Sequence, residues 1–263
     1  MMLELRRWIR RDRTLHATAR ALTGATALEP GGPSALFDRG GAMPVYPLLE
    51  ALDTLDYSEQ TLWSNGAAEL AVAPRARLIG EAGRLEGVED GAYDALLASH
   101  VIEHLADPLG ALAQWRRVVR PEGHVLLVVP HREGTFDHRR PVTSLEHLRA
   151  DRDRETGEQD LTHLEEVLEL HDLDRDPGAP SREVFERRCR ENLDTRAMHH
   201  HVFDTRAVVE MCREAGLEVV MLRPRRPHDI FCLCRVGNRG DGLDEEGLER
   251  ALSRSPFQSD RRP

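Results

Sequence analysis

Residues 93–131 read YDALLASHVIEHLADPLGALAQWRRVVRPEGHVLLVVPH, and their reading decides the fold. Two apolar runs bracket the stretch. Ala95, Leu96, Leu97 and Ala98 end in Ser99 and His100, and Val125 to Val129 end in Pro130 and His131. Neither run alternates with polar residues, which predicts strands buried on both faces. Between them, Asp107 followed by Pro108 predicts an N-cap with proline at the first helical position, and Leu109, Leu112, Trp115 and Val119 form a helical apolar stripe. Arg120-Pro121-Glu122-Gly123 predicts the stop. Strand, crossover helix and strand in this order form a right-handed parallel unit. In open sheets of such units ligands bind beyond the carboxyl ends of the strands, so Ser99, His100, Glu103, His104 and His131 mark a candidate site.

At 263 residues the chain can bury a full core, and one domain with an insertion is the simplest organisation. A net charge of -10 argues against broad binding to nucleic acid. Every one of the 36 basic residues is arginine, which removes Schiff-base chemistry and a phosphate-loop lysine. No window suggests a membrane span and the first residues have no apolar signal core, so a cytoplasmic protein without membrane partners is expected. Cys189, Cys212, Cys232 and Cys234 lack the spacing of a zinc ribbon and the density of a disulfide scaffold; Cys232 and Cys234 would share one strand face as free thiols.

Outward from the central stretch, residues 1–24 read as an amphipathic helix with Leu5, Trp8, Ile9 and Leu15 inward. Thr26, Ala27 and Leu28 form a first strand that leads into Glu29-Pro30-Gly31-Gly32-Pro33-Ser34. Asp53, 24 positions after Glu29, is the candidate for a ribose ligand at the tip of a second strand, with Asp56 the alternative if that strand runs longer. Arg77 to Gly80 read as a third strand, followed by Glu81 and Ala82. From Arg132 charges dominate, and residues 132–198 read as a helical insertion with capping boxes at Thr143 and Thr162 and a third helix opened by Pro180-Ser181. Asp204 caps a further helix, and Leu217 to Leu222 and Asp229 to Val236 are the last two strands. Residues 237–263 read as a mobile tail that can hold one short helix around Leu248 to Leu252.

Tyr93-Asp94, Ser99-His100-Val101-Ile102-Glu103-His104, Asp107-Pro108, the run from Trp115 to Gly123 and Val129-Pro130 together resemble the fourth-to-fifth-strand segment of class I S-adenosylmethionine-dependent methyltransferases. The resemblance covers roughly residues 26–131 and, more weakly, residues 199–236. It implies an α/β fold, a doubly wound Rossmann-like sheet of seven mostly parallel strands with an antiparallel last strand. Its implied cofactor is S-adenosylmethionine, converted to S-adenosylhomocysteine. The resemblance places Glu29, Gly31 and Gly32 at the methionine portion, Asp53 at the ribose, Glu81 and Ala82 at the adenine, and Ser99 and His100 beside the sulfonium. Pro33 stands where the family has another glycine, which removes one backbone N–H from the turn.

The implied reaction is methyl transfer to an oxygen or nitrogen of a small-molecule acceptor, of natural-product or glycan type. His131, His138 and, from the triplet His199 to His201, His201 are the candidate bases. A catalytically inactive binding module is the alternative. The oligomeric state is open, a homodimer included. His100-x-x-Glu103-His104 also spells an inverted zinc-protease signature, but that chemistry needs a continuous helix where a strand-to-helix turn is expected. Three consecutive histidines at 199–201 cannot all ligate one ion from a regular element, so no metal is expected.

Overall fold

Leu96 and Leu97 lie next to each other in strand β4 (Tyr93–Ser99), are both fully buried, and feed two separate hydrophobic cores on opposite faces of one sheet. This is the period of two that a strand imposes on its side chains. In the computed structural model, which describes residues 13–61 and 73–261, that sheet has seven strands. Besides β4 they are β1 (Thr26–Pro30), β2 (Ala51–Asp56), β3 (Ala76–Ile79), β5 (Val119–Pro130), β6 (Leu217–Arg225) and β7 (Asp229–Val236). Their order is β3-β2-β1-β4-β5-β7-β6, with β7 antiparallel to both of its neighbours and the other pairings parallel.

Helix α1 (Arg13–Leu22) precedes β1, and helix α2 (Pro108–Val118) is the crossover from β4 to β5. Asp107 caps α2 by accepting from the Gly110 N–H at 2.8 Å. Leu109, Leu112, Trp115 and Val118 are all buried against the sheet. Each contributes about 1.5–3 kcal/mol by leaving water. Trp115 also donates from Nε1 to the Ala82 carbonyl at 2.7 Å, tying the helix to the segment after β3. On the opposite face α1 contributes Leu15 and Leu22 to a core with Phe37, Met43, Tyr46 and Leu97. Leu5, Trp8 and Ile9 lie outside the described residues.

The insertion holds α3 (Leu145–Asp153), α4 (Leu164–Leu170), α5 (Arg182–Arg190) and α6 (Asn192–Thr195), closed around a small core of Leu164, Val167, Phe185, Cys189 and Met198. Two expected caps are displaced. Ser144 rather than Thr143 caps α3 through the His147 N–H, and α4 has His163 at its N-cap with no side-chain cap bond. Helix α7 (Thr205–Glu214), capped by Asp204, then leads into β6. Cys212 on α7 and Cys232 and Cys234 on β7 are buried free thiols.

The expected mobile tail is instead packed. Helix α8 (Glu245–Ser253) buries Leu248 and Leu252, and the chain beyond it buries Phe257 and Asp260. Few apolar residues are present there, but they stack on a site prepared by β5: the His131 and Phe257 rings lie 3.8 Å apart and nearly parallel. Among the described residues no helix is long and apolar enough to cross a membrane.

Candidate active site

The strand order reverses between β1 and β4, and a cavity of about 500 Å³ opens at the carboxyl ends of the strands there. Cavities of roughly 300–1,000 Å³ are the usual size for small-molecule and cofactor sites. Gly31, Asp56, Tyr57, Glu81, Ala82 and Ser99 line this one, together with Phe136, His104, His199 and His228.

The turn after β1 is built around a buried carboxylate. Glu29 Oε1 accepts from the Ser34 N–H at 3.0 Å and Oε2 accepts from the Tyr46 hydroxyl at 2.7 Å. Burial raises the Glu29 pKa to about 8, against the lowering effect of those two bonds. Gly31 has φ +70°, and a Cβ there would sit 2.7 Å from a Val101 methyl, so only glycine lets this backbone pass beside the cavity. Gly32 serves a different purpose from the one expected. A Cβ at Gly32 would strike the Glu29 carboxyl group, and neither Gly32 nor Glu29 lines the cavity. Pro33 does not project into it either, whereas Ser34 does, with its hydroxyl 3.1 Å from that of Ser99.

Asp53 is not at the strand tip. It pairs with Leu28 and Ala76 inside the sheet and is consumed by Arg75 Nε at 2.9 Å, the Ala76 N–H at 3.1 Å and the Tyr93 hydroxyl at 2.9 Å. Burial opposes its ionisation, but these donors hold it below the ordinary carboxylate range. The tip residue is Asp56, because β2 runs three residues further, and Asp56 lines the cavity. Beside it, Glu81 Oε1 accepts from Arg196 at 2.7 Å, and the Arg196 guanidinium lies 5.3 Å from the Tyr57 ring centre. Tyr57 donates to the Thr195 carbonyl at 3.2 Å. The end of α6 is thus latched onto the tips of β2 and β3.

After β4, His100 adopts φ +54°, which costs a non-glycine residue about 1–2 kcal/mol. Its N–H is held by the Val128 carbonyl at 2.9 Å, and its ring lies between Asp229 at 3.2 Å and Glu103 at 3.6 Å. Desolvation opposes the charged form, but these two carboxylates win and raise the pKa to about 9. His104 is driven the other way, to about 4, by desolvation and the neighbouring His199. Glu103 is 1% exposed, and neither carboxylate oxygen accepts a hydrogen bond among the described residues. The segment Ile102–His104 is a single tight turn, not the helix that a zinc-protease motif requires.

None of the three candidate bases lines the cavity. His131 is fully buried behind it, its Nε2 on Asp260 at 3.0 Å and its Nδ1 accepting from the Glu133 N–H. His138 is bonded to Asp172 at 2.8 Å on the insertion, and His201 packs behind the Glu103 turn with Nε2 on the Ala106 carbonyl at 3.2 Å. From the triplet it is His199 that reaches the cavity, with Nδ1 bonded to Asp137 Oδ2 at 2.6 Å. Burial would raise the Asp137 pKa, but His199 and Arg140 hold it down at about 2. Asp137, Tyr57 and Arg196 were not singled out by sequence reasoning: Tyr57 follows the tip of β2, Asp137 lies in the loop after β5, and only the insertion's return path brings Arg196 to the strand ends.

The sheet order and the position of the cavity define the Rossmann-like fold of class I S-adenosylmethionine-dependent methyltransferases. Residues 56–222, more than half of the chain, match the family described as "Methyltransferase domain", and the chain belongs to that family. It is also similar to three solved structures. A methyltransferase from Mesorhizobium loti is 12% identical, with 84% of this chain and 95% of that one covered and a TM-score of 0.48. The Burkholderia thailandensis 1,6-didemethyltoxoflavin N1-methyltransferase, solved with S-adenosylhomocysteine, is 13% identical over 85% and 75% of the two chains, TM-score 0.47. A methyltransferase from Aquifex aeolicus is 12% identical over 86% and 89%, TM-score 0.44. In addition, a 43-residue stretch is 44% identical to part of an uncharacterized 37.1 kDa transposon protein of Streptomyces fradiae, a match that spans 16% of this chain and 12% of that relative.

Proposed function

We propose that this protein transfers the methyl group of S-adenosylmethionine to an oxygen or nitrogen of a small molecule, with His199 as the base. The observation that carries the reading is that one cavity joins an acidic strand-tip end to an imidazole held by a carboxylate. Asp56 is the candidate for the ribose hydroxyls, Glu81 and the Ala82 backbone for the adenine, and the Gly31 turn with Ser34 and Ser99 for the methionine portion. When bound, the cofactor supplies a carbon already activated by positive sulfur. The protein's share is then positioning, exclusion of water and removal of one proton.

His100 stays protonated at neutral pH and is a hydrogen-bond donor in the wall, not a base. His104 is neutral there but too weakly basic to hold a proton. His228, which also lines the cavity, is weakened as a base by desolvation and by the neighbouring His100, and its carboxylate neighbour Asp229 is 3.9 Å away. His199 is the cavity imidazole held by a carboxylate at hydrogen-bond distance, with Nδ1 oriented by Asp137 and Nε2 left to accept the proton of a hydroxyl or amine. Phe136, Arg175 and His228 complete the acceptor end, an apolar and cationic lining suited to a ring that carries polar substituents of natural-product or glycan type. Calorimetry with S-adenosylhomocysteine tests the cofactor assignment, and Asp56→Ala should weaken binding about tenfold or more. A labelled-methyl screen over hydroxylated and amine-bearing small molecules tests the acceptor class. Absence of heat with the wild-type protein would refute the proposal.

A further inference from the structure

We propose a metal site outside the cavity, in which His147, Asp151, His163 and His201 hold one divalent transition-metal ion of the zinc type. The four residues come from three separate parts of the chain. His147 and Asp151 lie one turn apart on α3, His163 opens α4, and His201 follows the insertion. Their donor atoms all lie within 4.8 Å of one another. His147 Nε2 is 3.1 Å from both His163 Nε2 and Asp151 Oδ2, and His201 Nε2 is 3.9 Å from Asp151 Oδ2. Ligands about 2.1 Å from a tetrahedral zinc ion are separated from each other by roughly 3.3 Å, so small side-chain movements suffice to close the shell.

Two buried atoms lack the partners that an ordinary hydrogen-bonded cluster would provide. Asp151 is 2% exposed and its Oδ2 accepts no hydrogen bond, and His201 is 1% exposed with Nδ1 unpartnered. A buried carboxylate oxygen that lies 3.1 Å from His147 Nε2 and 3.9 Å from His201 Nε2 yet accepts no hydrogen bond is an expensive arrangement without a cation. The outer contacts are also those of a ligand set. Asp151 Oδ1 accepts from Arg154 at 2.7 Å and from the Thr156 hydroxyl at 3.3 Å. A His201 Nε2–H donating to the Ala106 carbonyl at 3.2 Å would leave the unpartnered Nδ1 as that ring's ligand atom, the type of secondary bond that orients metal ligands.

The donor set, three imidazoles and one carboxylate, suits zinc better than calcium or magnesium. With all four positions supplied by protein, the ion would be structural. It would bind α3 and α4 to the strand-to-helix turn of the active site, because the His201 N–H donates to the Glu103 carbonyl at 3.2 Å. The sequence argument against the triplet holds for three adjacent ligands but not for this arrangement, which takes only His201 from it.

The test is elemental analysis of the full chain, made without a polyhistidine tag, stripped by chelator and then dialysed against zinc. The expected result is about one zinc per chain, lost by more than tenfold in Asp151→Asn and in His163→Gln, and retained in His104→Gln. Asp151→Asn is nearly isosteric, and circular dichroism checks that it folds. As a second readout, zinc added to stripped wild-type protein should raise its thermal midpoint, and should leave that of Asp151→Asn unchanged. Wild-type protein that takes up no zinc overturns the proposal. So does zinc that survives Asp151→Asn and His163→Gln, or that is lost only in His104→Gln, which would place it among Glu103, His104 and His199.

Discussion

Nδ1 of His199 and Oδ2 of Asp137 lie 2.6 Å apart, and Asp137 is held in turn by Arg140 at 3.1 Å. The pair joins the first residue after the insertion to the loop that follows β5. Replacing His199 with Gln should therefore lower kcat by about 10²–10⁴-fold and leave cofactor affinity unchanged. Asp137→Asn should show a smaller loss of kcat, because it frees the ring to rotate without removing it. Steady-state kinetics with calorimetry in parallel separates the two effects, and equal losses of affinity and turnover would count against the assignment.

The two aspartates of β2 should separate by function. Asp56→Asn should weaken S-adenosylhomocysteine binding with little change in stability, since Asp56 lies at the cavity. Asp53→Asn should do the reverse, because its carboxylate joins Arg75, Tyr93 and the Ala76 N–H inside the sheet. Calorimetry and urea denaturation on both variants give a direct comparison.

Arg196 latches the insertion to Glu81 and Tyr57 at the end of the cavity proposed for the nucleoside. Arg196→Ala should raise the KM for S-adenosylmethionine about 5–50-fold, the range expected when a charged hydrogen bond at a binding surface is lost, with a smaller effect on kcat. An unchanged KM would show that the latch does not bear on cofactor binding.

Glu29 gives the fold a pH dependence of known sign. Its pKa is about 8 when folded, above the ordinary value of 4.5, so the protein holds this proton more tightly than the unfolded chain does. The contribution is fully present below pH 4.5 and is lost as pH rises through 8. Glu29→Gln should remove that slope: relative to wild type its stability should improve steadily from about pH 5 to about pH 9, as read by denaturant midpoints.

Asp260 receives the buried His131 ring together with the Thr205 and Ser255 hydroxyls. Asp260→Ala should cost about 3–5 kcal/mol, the range for removing one partner of a buried pair. Chemical denaturation checks the size, and a loss under about 1 kcal/mol would mean that the C-terminal segment is not anchored as described.

Most of the sheet was legible in the chain. The unbroken apolar runs at 95–98 and 125–129 and the Asp107-Pro108 cap are local signals, and they locate β4, α2 and the buried half of β5. Strand β5 itself begins at Val119, read as the end of the helical stripe, and takes in Arg120 to Gly123, read as a stop, because Val119 pairs with Tyr93 across the sheet. The candidate site was legible only in part. Gly31, Glu81, Ala82, Ser99 and His100 line the cavity, whereas Glu29, Gly32, Asp53, His131, His138 and His201 do not. Asp53 was misplaced by counting residues along the chain, since a spacing does not reveal at which residue the strand ends. His201 was preferred to His199 because neighbouring residues in a run look alike, and only the path of the backbone shows which one faces the cavity.

The sequence by itself determined the alternating strand and helix order and the direction of the crossovers, because these depend on periodicity and caps over a few residues, and it pointed to the family through the resemblance carried by the motifs of residues 93–131. The tertiary structure alone decided which histidine faces the cavity, which meets Asp151 and which lies under Phe257. An imidazole has the same chemistry at every position, and its role depends on neighbours brought from tens of residues away.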